Sequence, residues 1–216
     1  MSIISADVAA ARPAAGARTL LVAGVAAAPT FAVVSVAHAA TRDGFDLTRH
    51  PLSMLSTGDL GWLQVATFVV SGLLLIAGAA GLRAAIPSRW APRLLTVTGL
   101  GMIAAGAFPM DPGDGFPVGT PAGPATSLSW HAGLHMVAGT VSFAALTAAC
   151  LVLGRHFARA GRTAAAGASW IAGATCVTGN VWAMMGGRAG SLTVCVGVLA
   201  AMFWVSATQA AFVRGS

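Results

Sequence analysis

The sequence predicts an all-α membrane protein: a polytopic bundle of six transmembrane helices with both termini cytoplasmic. Three observations carry that prediction. The chain of 216 residues is 56% hydrophobic and only 8% charged, against roughly 25% charged in ordinary soluble domains. It contains six apolar runs long enough to cross a bilayer core of about 30 Å. Its arginines gather on alternate connections between those runs.

The charge deficit comes first because it excludes most alternatives. Lysine and glutamate are absent, so the twelve basic residues are all Arg and the six acidic residues all Asp. A soluble domain of this length needs a charged surface that this chain cannot supply. The net charge of +6 does not signal nucleic acid, because the arginines sit in twos and threes at the flanks of apolar runs, as at membrane edges. Cys150, Cys176 and Cys195 are odd in number and lie inside apolar runs. They read as buried packing residues, not as a disulfide framework.

The runs fall near Leu20–Thr41, Trp62–Ile86, Leu94–Met110, Leu128–Gly154, Thr163–Met185 and Ser191–Val213, with tails over 1–19 and 214–216. Backbone in lipid must satisfy its own hydrogen bonds, so such runs are helices. Pro29 predicts a kink in the first. Gly99, Gly101 and Gly106 in the third, the shortest, let neighbours approach closely and predict a place near the middle of the bundle. No loop is long enough for a soluble domain.

With the N-terminus inside, nine arginines (12, 18, 83, 89, 93, 155, 159, 162 and 214) are cytoplasmic and three (Arg42, Arg49 and Arg188) are outside. That bias sets the orientation and predicts a multi-pass protein of the plasma membrane. "AHA" at Ala37–Ala39 imitates a signal-peptidase site. The apolar stretch before it exceeds the 7–15 residues of a signal core, so an uncleaved first helix is expected.

This topology collects the titratable side chains. Asp43, Asp46, Asp59, Asp111 and Asp114 fall outside and only Asp7 inside; His38, His50, His131 and His135 fall toward the same outer side, and only His156 inside. Asp59, ahead of Trp62, is placed to cap the second helix. Arg49 is a partner for any nearby Asp. In "FPMDPGDG", Asp111 stands between Pro109 and Pro112, which restrict its backbone. In "WHAGLHMVA", His131 and His135 are one turn apart on one face of a helix that Thr126, Ser127 or Ser129 could cap. His135 lies about 6 Å deeper and needs a partner at that depth.

His-x-x-x-His is a metal-binding spacing, though without the glutamate of zinc proteases. A zinc site needs a third ligand, for which Asp111, His50 and Asp59 are candidates. The plainer alternative is a hydrogen-bonded pair fixing the outer loops to the bundle. Asn180, Trp182 and Gln209 are candidate interhelical hydrogen-bonding groups. No file of buried charges crosses the bilayer, which argues against a proton-coupled transporter.

"RHPLSMLSTGDLGW" before the second helix, "GAFPMDP" closing the third and "WHAGLHMVAG" opening the fourth resemble a bacterial six-helix integral-membrane family catalogued as domain of unknown function nine-nine-eight. The resemblance covers most of the chain. It implies no activity, and it directs attention to Ser53, Asp111 and His135. Two functions are therefore expected to compete. One is a protein that binds or organises a lipid, small molecule or partner at the outer leaflet through an Asp/His pocket. The other is a membrane-embedded hydrolase or transferase acting on a lipid-like substrate, in which Asp111, His131 and His135 hold a divalent metal such as zinc or move protons, and Ser53 is nucleophile or donor.

Overall fold

The computed structural model describes residues 14–123 and 127–215. The first thirteen residues, with Asp7 and Arg12, and the candidate cap Thr126 lie outside them. The described residues form six α-helices: α1 (Ala15–Thr41), α2 (Gly61–Ala85), α3 (Trp90–Ala107), α4 (Trp130–Arg159), α5 (Thr163–Met184) and α6 (Gly190–Arg214), with a short 3₁₀ helix at Leu52–Ser56 between α1 and α2. Four of them, α1, α2, α4 and α6, are long and apolar enough to cross a membrane. This is an integral membrane protein. α3 has 18 residues with Arg93 in its first turn, and α5 interrupts its apolar face with Thr175, Thr178 and Asn180.

Helix ends follow local chemistry more closely than hydropathy. α3 stops at Ala107 because Phe108 precedes Pro109 and leaves the helical region (φ −118°, ψ 85°). α4 starts where Ser129, extended at φ −67° and ψ 158°, accepts the Ala132 N–H on its hydroxyl. α2 has no side-chain cap; its N-cap is Leu60, and Asp59 is exposed. The capping role expected of Asp59 is therefore not made. α1 remains helical through Pro29.

Each helix packs on the next in sequence, and α6 closes back on α1, so the six form a ring. α3 is accordingly one stave of the wall and not a central helix. Its glycines serve its two neighbours instead. A Cβ on Gly99 would fall 2.5 Å from the Gly72 carbonyl of α2, and one on Gly101 would fall 2.8 Å from Ser142 Cβ of α4. On the closing side, Gly24 of α1 and Gly78 of α2 face each other with the buried Gln209 of α6 wedged against both. Trp62, Trp130 and Trp182 are half-exposed or more at one end, and Trp90, with Arg89 and Arg93 over its ring, stands at the other. Aromatic side chains at two levels are what a membrane's two interfaces favour.

Candidate functional site

The connections α1–α2, α3–α4 and α5–α6 meet at one end of the ring and are stitched together there. The guanidinium of Arg49 in the first connection donates to both carboxylate oxygens of Asp114 in the second, Nη2 at 2.7 Å and Nε at 3.2 Å, and to the Asp114 carbonyl at 3.1 Å. Its own backbone carbonyl accepts from the Ser191 hydroxyl of α6 at 2.8 Å. The second connection inserts Phe116, fully buried, against Phe45, His50 and the guanidinium of Arg42, whose carbon lies 5.0 Å from the ring centre. Arg42 also donates to the Thr57 carbonyl at 3.0 Å and contacts His38 Nε2 at 3.2 Å. His50 accepts the Asp46 N–H at Nδ1 (3.0 Å) and donates from Nε2 to the Asp114 carbonyl (2.9 Å). Both its nitrogens are thereby committed to backbone.

Asp111 sits at the start of α4. It accepts the Ser129 N–H and the Ser129 hydroxyl, each at 2.7 Å. His131 donates from Nδ1 to the Pro109 carbonyl at 3.0 Å, which turns its Nε2 toward Asp111 at 3.9 Å. These contacts tie the Pro-rich loop to the helix that follows. The carboxylates reflect their partners. Asp111 is held below the usual carboxylate range, chiefly by the Ser129 hydroxyl and then by its N–H. The Arg49 guanidinium does the same for Asp114, and the Thr48 hydroxyl and N–H for Asp46.

His135 points elsewhere. Its Nδ1 donates to the last carbonyls of α3, Phe108 at 2.8 Å and Ala105 at 2.9 Å, which are groups a helix end leaves without an internal partner. In the neutral ring this fixes Nε2 as an acceptor, and Nε2 has no hydrogen-bond partner among the described residues. His135 lines a cavity of about 350 Å³ inside the ring, beneath the stitched connections. Pro51, Ser53 and Met110 form its ceiling, and Leu146, Val198 and Met202 its floor, in a mainly apolar wall.

The residues singled out from sequence thus separate into two places. Ser53 and His135 share the cavity; Asp111 and His131 form the loop clasp and are not in its lining. His50 belongs to the Phe116 cluster, and Asp59 is exposed. Among the described residues, no group of three or more His, Cys, Asp or Glu side chains is placed to hold a metal ion. Sequence reasoning missed Phe116 and the cavity-lining methionines. The run "GDGFP" carried a signal for the first, since a lone aromatic in a Gly/Pro loop either buries or stays exposed at a cost in free energy.

Residues 25–212 match the family described as "Protein of unknown function (DUF998)". No curated protein and no solved structure matches the chain.

Proposed function

The chain belongs to this family of unknown function, and on that footing we propose a six-span plasma-membrane protein that holds a lipid chain in the cavity at its outer end. Both termini are cytoplasmic, and α3 and α5 also cross the bilayer. The cavity carries this reading. Its volume of about 350 Å³ lies within the roughly 300–1,000 Å³ of small-molecule sites, and its wall is mainly apolar. The six-span topology draws on the ring order and on the tryptophans at both ends. Retention of α1 draws on its place in the ring between α2 and α6, where Leu21, Ala27 and Phe31 are buried.

Two measurements test this. Phosphatidylcholine vesicles doped with a photoactivatable single-chain lipid should label Leu146 and Met202 at the cavity floor. Labels confined to outward residues such as Val33 and Ile171 would sink the cavity reading. For topology, a cysteine-free chain carrying Ser127→Cys should react with an impermeant maleimide from outside the cell, and one carrying Ser88→Cys only after lysis; the reverse pattern inverts the orientation.

The hydrolase or transferase reading draws on one observation, that Ser53 and His135 line the same cavity. Ser53 would be the nucleophile and His135 Nε2 the base. Asp111 would then act on the loop clasp, or with His131 hold a metal such as zinc once a third ligand joins them. Turnover of an ester probe that is abolished by Ser53→Ala supports the enzyme, and stoichiometric zinc lost with His131→Ala supports the metal. Lipid retention without turnover leaves the binding function alone.

A further inference from the structure

The cavity has a side as well as a ceiling and a floor. Met136 and Thr140 of α4 and Met184 of α5 line it, yet all three are exposed, Met136 by 52% and Met184 by 84%. A residue does both only where the wall is open. At their inner halves α4 and α5 are in close contact, with Gly154 against Trp170 and Gly173 against Cys150. Farther out, Gly139 of α4 has no such neighbour on α5. A Cβ on Gly139 would meet nothing nearer than the Phe143 ring of its own helix, at 4.0 Å. Residues 136–140 lie roughly 9–15 Å along α4 from Trp130, at about 1.5 Å per residue. For a helix set in a bilayer with its start at the outer interface, that is the depth of acyl chains and not of water.

The polar groups in the lining restrict the occupant. No Arg and no Asp among the described residues lines the cavity, so an anionic or cationic head would lie there without a counter-charge. Most hydroxyls have spent their proton on backbone: Thr98 on Leu94, Thr140 on Met136, Ser142 on Thr98 and Ser191 on Arg49. Asn180 donates to the Cys176 carbonyl. What remains is the acceptor Nε2 of His135, itself 5% exposed and unpartnered, and the Ser53 hydroxyl, which also has no partner among the described residues. An apolar ligand with one O–H group offers a donor for His135 Nε2 and an acceptor for the Ser53 hydroxyl. The distance along α4 from His135 to Leu146 is roughly 16 Å. That length and the mainly apolar wall suit an alkyl chain.

We infer that the gap between the outer halves of α4 and α5 is a lateral portal, through which a single-chain membrane amphiphile with an uncharged O–H head reaches His135 Nε2 and Ser53. This rests on the lipid-cavity reading above and adds the route and the head group. A fatty alcohol and a protonated fatty acid share that chemistry.

The test uses the full chain in phosphatidylcholine vesicles with a diazirine-bearing twelve-carbon alcohol, mapping labelled peptides by mass spectrometry. The label should reach Leu146 and the segment from Cys195 to Met202. Unlabelled 1-dodecanol should compete at least tenfold better than dodecane. Dodecanoic acid should match the alcohol only at acid pH, where it is protonated; equal competition at strongly alkaline pH, where it is ionised, would make a carboxylate head the ligand and overturn the uncharged one. Gly139→Trp should cut cavity labelling at least tenfold and leave labelling of outward Ile171 unchanged. Met136→Trp repeats the test if the first variant unfolds on heating earlier than the wild type. His135→Phe should erase the preference for alcohol over dodecane, and Ser53→Ala should reduce it. Labelling of the cavity that neither tryptophan reduces overturns the portal and leaves the cavity reading standing. Equal competition by dodecane overturns the head group. A cavity that stays unlabelled in the wild type overturns the cavity reading as well.

Discussion

Replacing Asp111 by alanine separates an anchoring carboxylate from a chemical one. The wild-type side chain accepts two bonds from a single residue, Ser129, through its N–H and its hydroxyl. A hydrogen bond to a charged group contributes about 1.5–3 kcal/mol. Here 18% of the side chain remains accessible, so water takes over part of each bond, and about 2 kcal/mol for the pair is the reasonable figure. That corresponds to roughly thirtyfold in a local opening equilibrium, since about 1.4 kcal/mol is tenfold. Hydrogen–deuterium exchange on protein in a lipid nanodisc reads this directly. In Asp111→Ala, the Ser129 amide and the loop over residues 109–118 should exchange about thirtyfold faster, while the middle of α4 stays protected. Ser129→Ala removes the hydroxyl bond and the Ala132 cap together, the cap alone being worth about 1 kcal/mol. The double variant should therefore show non-additivity of at least about 0.5 kcal/mol. Because Asp111 is outside the cavity lining, labelling of the cavity by the alcohol probe should be unchanged. Ser129 exchange within twofold of wild type would refute the clasp, and loss of cavity labelling would refute the separation of the two places.

Other consequences follow from the same packing. Gly78→Leu places a Cβ 2.6 Å from Gly24 Cα, a backbone atom that cannot yield. Overpacking of this kind costs about 1–3 kcal/mol, so the unfolding temperature should fall, whereas Gly167→Ala, with nothing within 4 Å, should leave it unchanged or higher. Phe116→Ala empties a fully buried aromatic site at about 3–5 kcal/mol; trypsin should then cut at Arg42 and Arg49 many times faster than in wild type. Asp46, Asp111 and Asp114 all have lowered folded pKa values, so their stabilisation is fully present above the unfolded value of about 3.9. It fades as pH falls through the folded values. A trypsin-independent measure of loop opening should rise below about pH 4, and Asp111→Asn should show a smaller change.

That His135 needs a partner was legible from its depth alone, because an imidazole in an apolar span is costly without one. Which partner it has was not. The carbonyls of Ala105 and Phe108 become acceptors only because α3 ends at Ala107, with Phe108 as its C-cap, beside the second turn of α4. The i, i+4 spacing placed His131 and His135 on one helical face, yet they serve different ends. His131 reaches back over the loop to Pro109 and Asp111, and His135 turns into the ring. Arg49 was legible as a partner for an aspartate; that it chooses Asp114, 65 positions away in the chain, depended on the fold.

The sequence by itself determined the solvent and the secondary structure. A chain with 8% charged residues and long apolar runs belongs in a bilayer, where backbone must close its own hydrogen bonds and helix is the answer. It also determined that five of the six Asp and four of the five His lie toward the same alternate connections. Only the tertiary structure decided that the helices form a ring and not a cluster around α3, because close approach through Gly72 and Gly99 or Gly24 and Gly78 is a property of facing pairs. A hydropathy profile cannot pair them. The cavity is a consequence of that closure. It is a volume between six helices, so no single segment encodes it, and it drew Ser53 and His135 together while leaving Asp111 outside.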